Sequence, residues 1–175
     1  MTNNFLQTLP GWRYIDERNG LIFPWYTKPF LENILSIDTS NWKIFEYGCG
    51  DSTIWWKNYC DIIISVDNDL EWSQKTNSFF VEDKNEYINF PKKFISDGLF
   101  DCIIIDGDPV VWRDECTSVA IDCLKKGGLL IIDNYNQKTV NNEHMPISEK
   151  LLKNKEKKIY KQEDHEDWKT ACWIM

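Results

Sequence analysis

Four short runs constrain this chain more than any other feature: KIFEYG at 43–48, DIIISVD at 61–67, DCIIIDG at 101–107 and LLIID at 129–133. Each is rich in β-branched residues and nearly continuous in apolar character, whereas a strand with one wet face alternates apolar and polar positions. Such runs suit strands buried on both faces, and they predict a parallel sheet covered by helices. Between the last two runs Cys116, Val119, Ala120, Cys123 and Leu124 recur at the spacing of an amphipathic helix that ends at Gly127 and Gly128. Asp51 or Ser52 can cap a short helix after the first run, and Pro29 opens another with Phe30, Leu31, Ile34 and Leu35 on its apolar side. The segment SFFVEDKNEYINF holds either a short strand at 79–82 or mostly loop. After the fourth run comes a polar loop with room for a short helix, and the tail KKIYK, QEDHED, WKTACWIM reads as a closing hairpin.

A length of 175 residues fits one domain. We divide it into an N-terminal segment, 1–40, packed as an acceptor-side cap on an α/β domain, 41–175. With 28 acidic against 20 basic residues the net charge is −8, which argues against broad binding to nucleic-acid backbones, where Lys and Arg must displace counterions. No apolar run approaches the roughly 20 residues that span a bilayer. The N-terminus has no basic region followed by an apolar one, so a cytoplasmic location is expected. Six cysteines are spread without C-x-x-C or zinc spacing and read as reduced, mostly buried thiols.

The segment FEYGCGDST follows a strand and precedes a helix, the place where open α/β sheets bind nucleotides. Gly48 and Gly50 permit a tight turn and close approach of a ligand to the backbone. A dinucleotide site asks for a third small residue and a helix start open to pyrophosphate. Here Thr53 stands at the third position, and the Asp51 carboxylate would repel phosphate. S-adenosylmethionine carries an amino group and a sulfonium and no phosphate, so acids at this turn are compatible with it. Glu46 can accept from the amino group, and Asp67, ending the next strand, can take both ribose hydroxyls.

On these residues the chain resembles the class I S-adenosylmethionine-dependent methyltransferases. The resemblance rests on E-x-G-x-G at Glu46, Gly48 and Gly50, on Asp67, on IIIDGD, on L-K-K-G-G, on IIDN and on the terminal hairpin. FEYGCGDSTIWW looks like the EYGSGNST-type loop of small members of that family. The resemblance implies a Rossmann-like three-layer α/β sandwich with a seven-stranded, mostly parallel sheet of order 3-2-1-4-5-7-6, strand 7 antiparallel. It implies that Glu46, Gly48, Gly50, Asp67 and Asp106 line the cofactor site, with hydroxyl contacts from Ser52 and Thr53. Trp72 either packs on the adenine or fills the core, and Glu82 or Asp83 is placed to read the adenine amino group.

Asp106, Asp133 and Asn134 end the fourth and fifth strands and should converge at the carboxyl edge of the sheet. Three hard oxygen donors suit Mg²⁺, and the pattern resembles metal-dependent O-methyltransferases of the catechol type, although Pro109 stands where that family has a lysine. The alternative is that these acids only cap strands. Asp108-Pro109 with Trp112 is a distant echo of the DPPW motif of amino-group methyltransferases. Arg113 is a candidate for an acceptor carboxylate or phosphate, or else a surface ion pair. Trp12, Tyr14, Trp25 and Tyr26 are candidates for an acceptor-side gate, Tyr26 first among them; His144 is a candidate lid base, and His165 reads as a solvated turn residue. The expected activity is methyl transfer to an oxygen of a small molecule or glycan precursor, metal-assisted or not. An N-methyltransferase and a non-catalytic cofactor-binding module are the alternatives, and a homo-oligomer is compatible with either.

Overall fold

A computed structural model of the chain describes residues 6–9, 13–137 and 144–175. It opens with a two-stranded antiparallel hairpin, β1 (Leu6–Leu9) and β2 (Arg13–Asp16), followed by helix α1 (Lys28–Ile34). The main sheet is built from β3 (Lys43–Tyr47), β4 (Ile62–Asp67), β5 (Phe79–Phe80), β6 (Phe100–Ile105), β7 (Leu124–Ile132), β8 (Lys157–Gln162) and β9 (His165–Ile174). Helices α2 (Asp51–Trp56), α3 (Leu70–Thr76), α4 (Lys84–Asn89), α5 (Val110–Cys123) and α6 (Pro146–Leu151), with a 3-10 helix at Phe90–Asp97, connect them.

The strand order is β5-β4-β3-β6-β7-β9-β8. Counted from the first strand of this sheet it is the expected 3-2-1-4-5-7-6, and β9 pairs antiparallel with both of its neighbours while the other pairings are parallel. The apolar runs behave as strands buried on both faces. On β6, Cys102 and Ile104 face one core with Ile44 and Ile131, while Ile103 and Ile105 face the other with Phe45, Leu130 and Ile132. Phe30, Leu31 and Ile34 of α1 and Trp55 and Trp56 of α2 close the first core; Cys116, Val119, Ala120 and Cys123 of α5 close the second.

Two boundaries differ from expectation. The third strand of the sheet is only Phe79–Phe80, paired with Val66 and Asp67, because two register pairs are all that the chain makes before Asp83 caps α4. Helix α5 stops at Cys123, and Leu124 is already paired with Phe100, so Gly127 and Gly128 lie in an irregular entry to β7. The hairpin β1–β2 was not foreseen. Its neighbours are tied to the distant end of the sheet: the Thr27 and Lys28 amides donate to Thr170 Oγ1 at 3.1 Å and Gln162 Oε1 at 2.9 Å, and Gln162 Nε2 donates to the Tyr14 hydroxyl at 3.2 Å. The six cysteines are free thiols, four of them buried.

Candidate functional site

The carboxyl ends of β3, β4, β6 and β7 open into two adjoining cavities that share Trp25, Asp106 and Asp108. The first, about 450 Å³, is formed by the turn after β3, the end of β4 and the turn after β6. Gly48 has φ of +87°, and a Cβ there would lie 2.6 Å from the Gly107 backbone, so both conformation and packing require glycine. Gly107 is held in turn against the Tyr87 ring, where a Cβ would meet the hydroxyl. Gly50 differs: its backbone is extended, nothing lies within 4 Å of its missing Cβ, and it lines the cavity. Close approach of a ligand is therefore possible at Gly50, while Gly48 serves the turn.

Asp67 lines this cavity with its carboxylate fixed by two backbone amides, Cys49 N–H donating to Oδ2 at 2.6 Å and Asp69 N–H to Oδ1 at 2.8 Å. Trp72, 37% exposed, presents its ring at the same wall, so it is not a core tryptophan. Asp51, Asp69, Asp106 and Asp108 complete an acidic lining whose one guanidinium, Arg13, lies 3.8 Å from Asp51. Such a lining repels pyrophosphate and accommodates a cationic ligand.

Glu46 stands elsewhere than anticipated. It has no exposed surface, and its carboxylate accepts from Ser52 Oγ at 2.5 Å, Thr53 Oγ1 at 2.5 Å and Ser65 Oγ at 2.7 Å. It faces the first turn of α2 and the neighbouring strand, where Ser65 is its register partner, and is not open to a ligand's amino group. Burial pushes its pKa up to about 7 against the pull of the three hydroxyls. Ser52 and Thr53 are correspondingly committed to Glu46, Thr53 Oγ1 also accepting from the Gly50 amide at 3.1 Å. Glu82 and Asp83 are exposed outside the cavity lining, and the Asp83 carboxylate caps α4 at the Glu86 amide.

The second cavity, about 660 Å³, lies beyond Asp106, between the ends of β6 and β7 and the start of β9. Asp106, Asp133 and Asn134 do converge there, but around Arg113. The guanidinium Nη1 lies 3.1 Å from Asp106 Oδ1 and donates to Asn134 Oδ1 at 3.1 Å and the Asp133 carbonyl at 2.9 Å. Nε donates to the Gly107 carbonyl at 2.8 Å and Nη2 to the Asp106 carbonyl at 2.9 Å. Arg113 is thus neither a surface ion pair nor a free anion receptor; it is 5% exposed and its fork is spent on the two strand ends. The Asp133 Oδ1 accepts from Thr170 Oγ1 at 2.6 Å. Burial, with the nearby Asp106 charge, pushes Asp133 up to about 8; burial also raises Asp106, against the pull of Arg113. The expected Mg²⁺ donors do not fit a divalent cation, because Asp106 Oδ1 and Asn134 Oδ1 are held by the guanidinium and the Asp133 carboxylate is bonded to Thr170. Among the described residues no group of three or more His, Cys, Asp or Glu is placed to hold a metal.

The remaining candidates separate. Trp25, 56% exposed, stands at the junction of both cavities with the Arg13 guanidinium 5.2 Å from its ring centre. Tyr26 has no exposed surface: its ring packs edge-on against Phe30 in the core below the site, so it is not an exposed gate. His144 is exposed and outside both linings, whereas His165, taken for a solvated turn residue, is half-buried in the second cavity at the start of β9. Tyr14 is buried in the core, and Trp12 lies outside the described residues. Asn136, Asp167 and Trp168 also line the second cavity and were not anticipated. The alternation of the terminal hairpin, which puts Trp168 two residues before Thr170, was the available signal.

No protein-family model and no curated protein sequence matches the chain. Solved structures do. The MycE methyltransferase of the mycinamycin biosynthetic pathway, in complex with Mg, SAH and mycinamycin VI, is 13% identical with a TM-score of 0.60 over 86% of this chain and 49% of that one. The O-methyltransferase from Bacillus cereus in complex with SAH is 15% identical, TM-score 0.57, over 83% and 79% of the two chains. The N-methyltransferase NodS from Bradyrhizobium japonicum WM9, in complex with S-adenosyl-L-homocysteine, is 14% identical, TM-score 0.52, over 77% and 78%. This chain therefore spans about half of MycE and most of the other two. The likeness establishes the fold: it is the Rossmann-like α/β fold of class I S-adenosylmethionine-dependent methyltransferases. No helix among the described residues is long and apolar enough to cross a membrane.

Proposed function

We propose that this chain is an S-adenosylmethionine-dependent methyltransferase acting on a small molecule or glycan precursor without a bound metal. One observation carries the reading: two cavities meet at Asp106, one walled by Gly50, Asp67 and Trp72, the other by polar side chains of β9 and the segment after β7. Bound in the first, the cofactor supplies an electrophilic methyl group. Asp67 is suited to accept from its ribose hydroxyls, Trp72 to pack on its base, and the acidic wall to offset its positive charges. The chain's further contribution is positioning, which by itself lowers the barrier for in-line transfer. Trp25, within residues 1–40, lines both cavities, which supports the acceptor-side cap assigned to that segment.

Oxygen was the first acceptor considered and nitrogen the alternative; the acidic lining of the second cavity favours nitrogen. Calorimetric titration with S-adenosylmethionine, using NAD for comparison, tests the cofactor. Micromolar binding of the former alone supports the reading. Binding without transfer of a labelled methyl group to any of a broad acceptor panel would favour the non-catalytic alternative, and absence of binding at millimolar ligand would overturn both.

A further inference from the structure

We propose that Arg13 takes the carboxylate at the amino-acid end of S-adenosylmethionine and so makes the first cavity select the intact cofactor over its decarboxylated form. This rests on the cofactor reading above and adds to it a residue that decides between two ligands with the same base, ribose and sulfonium.

The charge of the first cavity matches its expected ligand only in part. Among the described residues the lining holds the carboxylates of Asp51, Asp67, Asp69, Asp106 and Asp108 and a single basic side chain, Arg13. S-adenosylmethionine brings a sulfonium and an ammonium, which these acids attract, and a carboxylate, which they repel. Loss of that carboxylate leaves the ligand more positive, so the acids alone would make the cavity prefer the decarboxylated form. A cation in the lining is needed to reverse that order.

Arg13 is placed to supply it. It opens β2, where alternation sends Tyr14 into the core and Arg13 to the opposite side. Tyr14 anchors the strand: its carbonyl accepts from the Phe23 amide at 2.9 Å and its hydroxyl from Gln162 Nε2 at 3.2 Å. The Arg13 guanidinium stands 5.2 Å from the centre of the Trp25 ring, a contact that steadies it at the cavity wall. Its Nη2 lies 3.8 Å from Asp51 Oδ2, too long for a hydrogen bond, and among the described residues the fork makes none. An ion pair this long, with side chains 44% and 29% exposed, adds little to stability. The contrast with Arg113 is direct. That guanidinium has its donors turned onto the main chain and Asn134, whereas Arg13 keeps a planar fork that can meet a carboxylate with two parallel hydrogen bonds. Asp67 and Trp72, at the end of β4 and in α3, are suited to ribose and base; Arg13 comes from a different element and stands at Asp51, the first residue of α2.

The test is calorimetric titration of the full chain with S-adenosylmethionine and with decarboxylated S-adenosylmethionine. The wild type is expected to bind the intact cofactor about tenfold or more tightly than the decarboxylated one. Arg13→Met should abolish that preference by weakening the intact cofactor about tenfold or more while the decarboxylated form binds as tightly as before or more so. Its melting temperature should match the wild type, because Arg13 is exposed and its ion pair is long. Arg13→Lys, which keeps the charge without the fork, should fall between the two and gives the same reading from a second variant. Equal affinity of the wild type for the two ligands, a tighter hold on the decarboxylated one, or a preference that survives Arg13→Met overturns the proposal, while binding of the intact cofactor still supports the methyl-transfer reading. Failure of the wild type to bind the intact cofactor overturns both.

Discussion

Arg113 Nη1 lies 3.1 Å from Asp106 Oδ1, and the same guanidinium bonds the carbonyls of Asp106, Gly107 and Asp133. One side chain of α5 thereby clamps the ends of β6 and β7 and neutralises an acid between them. Arg113→Met leaves Asp106 and Asp133 buried without their cation and orphans three carbonyls. The expected loss is ~3–5 kcal/mol of stability, read as a fall in melting temperature. Arg113→Lys keeps the charge but not the planar fork, and should restore less than half of the loss.

The same clamp predicts the response to metal. With Asp106 and Asn134 held by the guanidinium and Asp133 bonded to Thr170, the wild-type chain should show the same melting temperature and the same affinity for S-adenosylmethionine in Mg²⁺ and in EDTA. A Mg²⁺-dependent gain in either would mean that Arg113 leaves the site when the cation enters, and would restore Asp106, Asp133 and Asn134 as ligands.

The two glycines of the first turn separate fold from binding. Gly48→Ala sets a Cβ 2.6 Å from the Gly107 backbone at φ of +87°, a clash with main chain that no side-chain rotation relieves. It should cost roughly 2 kcal/mol or more and reduce soluble yield. Gly50→Ala adds a methyl group in extended backbone toward open space. It should leave stability within about 0.5 kcal/mol of wild type and weaken S-adenosylmethionine binding about tenfold or more.

What the sequence made legible and what it hid have one physical origin. A parallel sheet covered by helices followed from apolar runs whose side chains must be covered on both faces, a signal carried by residue type, and the strand order followed from the family resemblance. The clamp was invisible because three acceptors of Arg113 are carbonyls of Asp106, Gly107 and Asp133, and main-chain atoms leave no mark in composition or spacing. Glu46 was misdirected for a different reason. An acid before a glycine turn suggests a ligand, yet strand pairing sets it opposite Ser65 and the first turn of α2 brings it Ser52 and Thr53. The two-residue β5 is shorter than any periodic pattern can report.

Buried Glu46 makes a pH prediction whose sign can be worked out. Its pKa is raised from 4.5 to about 7 in the folded chain, so across that interval the folded state holds a proton that the unfolded state has lost. Stability therefore falls as pH rises from about 4.5 to about 7 and levels off above, and Asp133, raised to about 8, acts in the same direction. Glu46→Gln should flatten its share of this slope. Relative to wild type, the variant should gain roughly 1–3 kcal/mol between about pH 5 and about pH 8, whatever its absolute offset. Urea unfolding at the two values measures the change, and parallel curves would mean that Glu46 is ionised throughout.

Asp67 separates a structural role from a binding one. The Cys49 and Asp69 amides each use one lone pair on a different carboxylate oxygen, which leaves a second lone pair on each for a pair of hydroxyls in the cavity. Asp67→Asn turns an NH₂ toward one of those amides, donor against donor, at a cost of ~1–3 kcal/mol. That loss follows whether or not a ligand binds, so stability alone decides nothing. Discrimination does: if Asp67 holds the ribose, wild type should bind adenosine about tenfold tighter than 2′,3′-dideoxyadenosine, and Asp67→Asn should bind the two nearly alike. A wild type that fails to distinguish the nucleosides would reduce Asp67 to a brace for the turn at Cys49, and the first cavity would need another contact to orient its ligand.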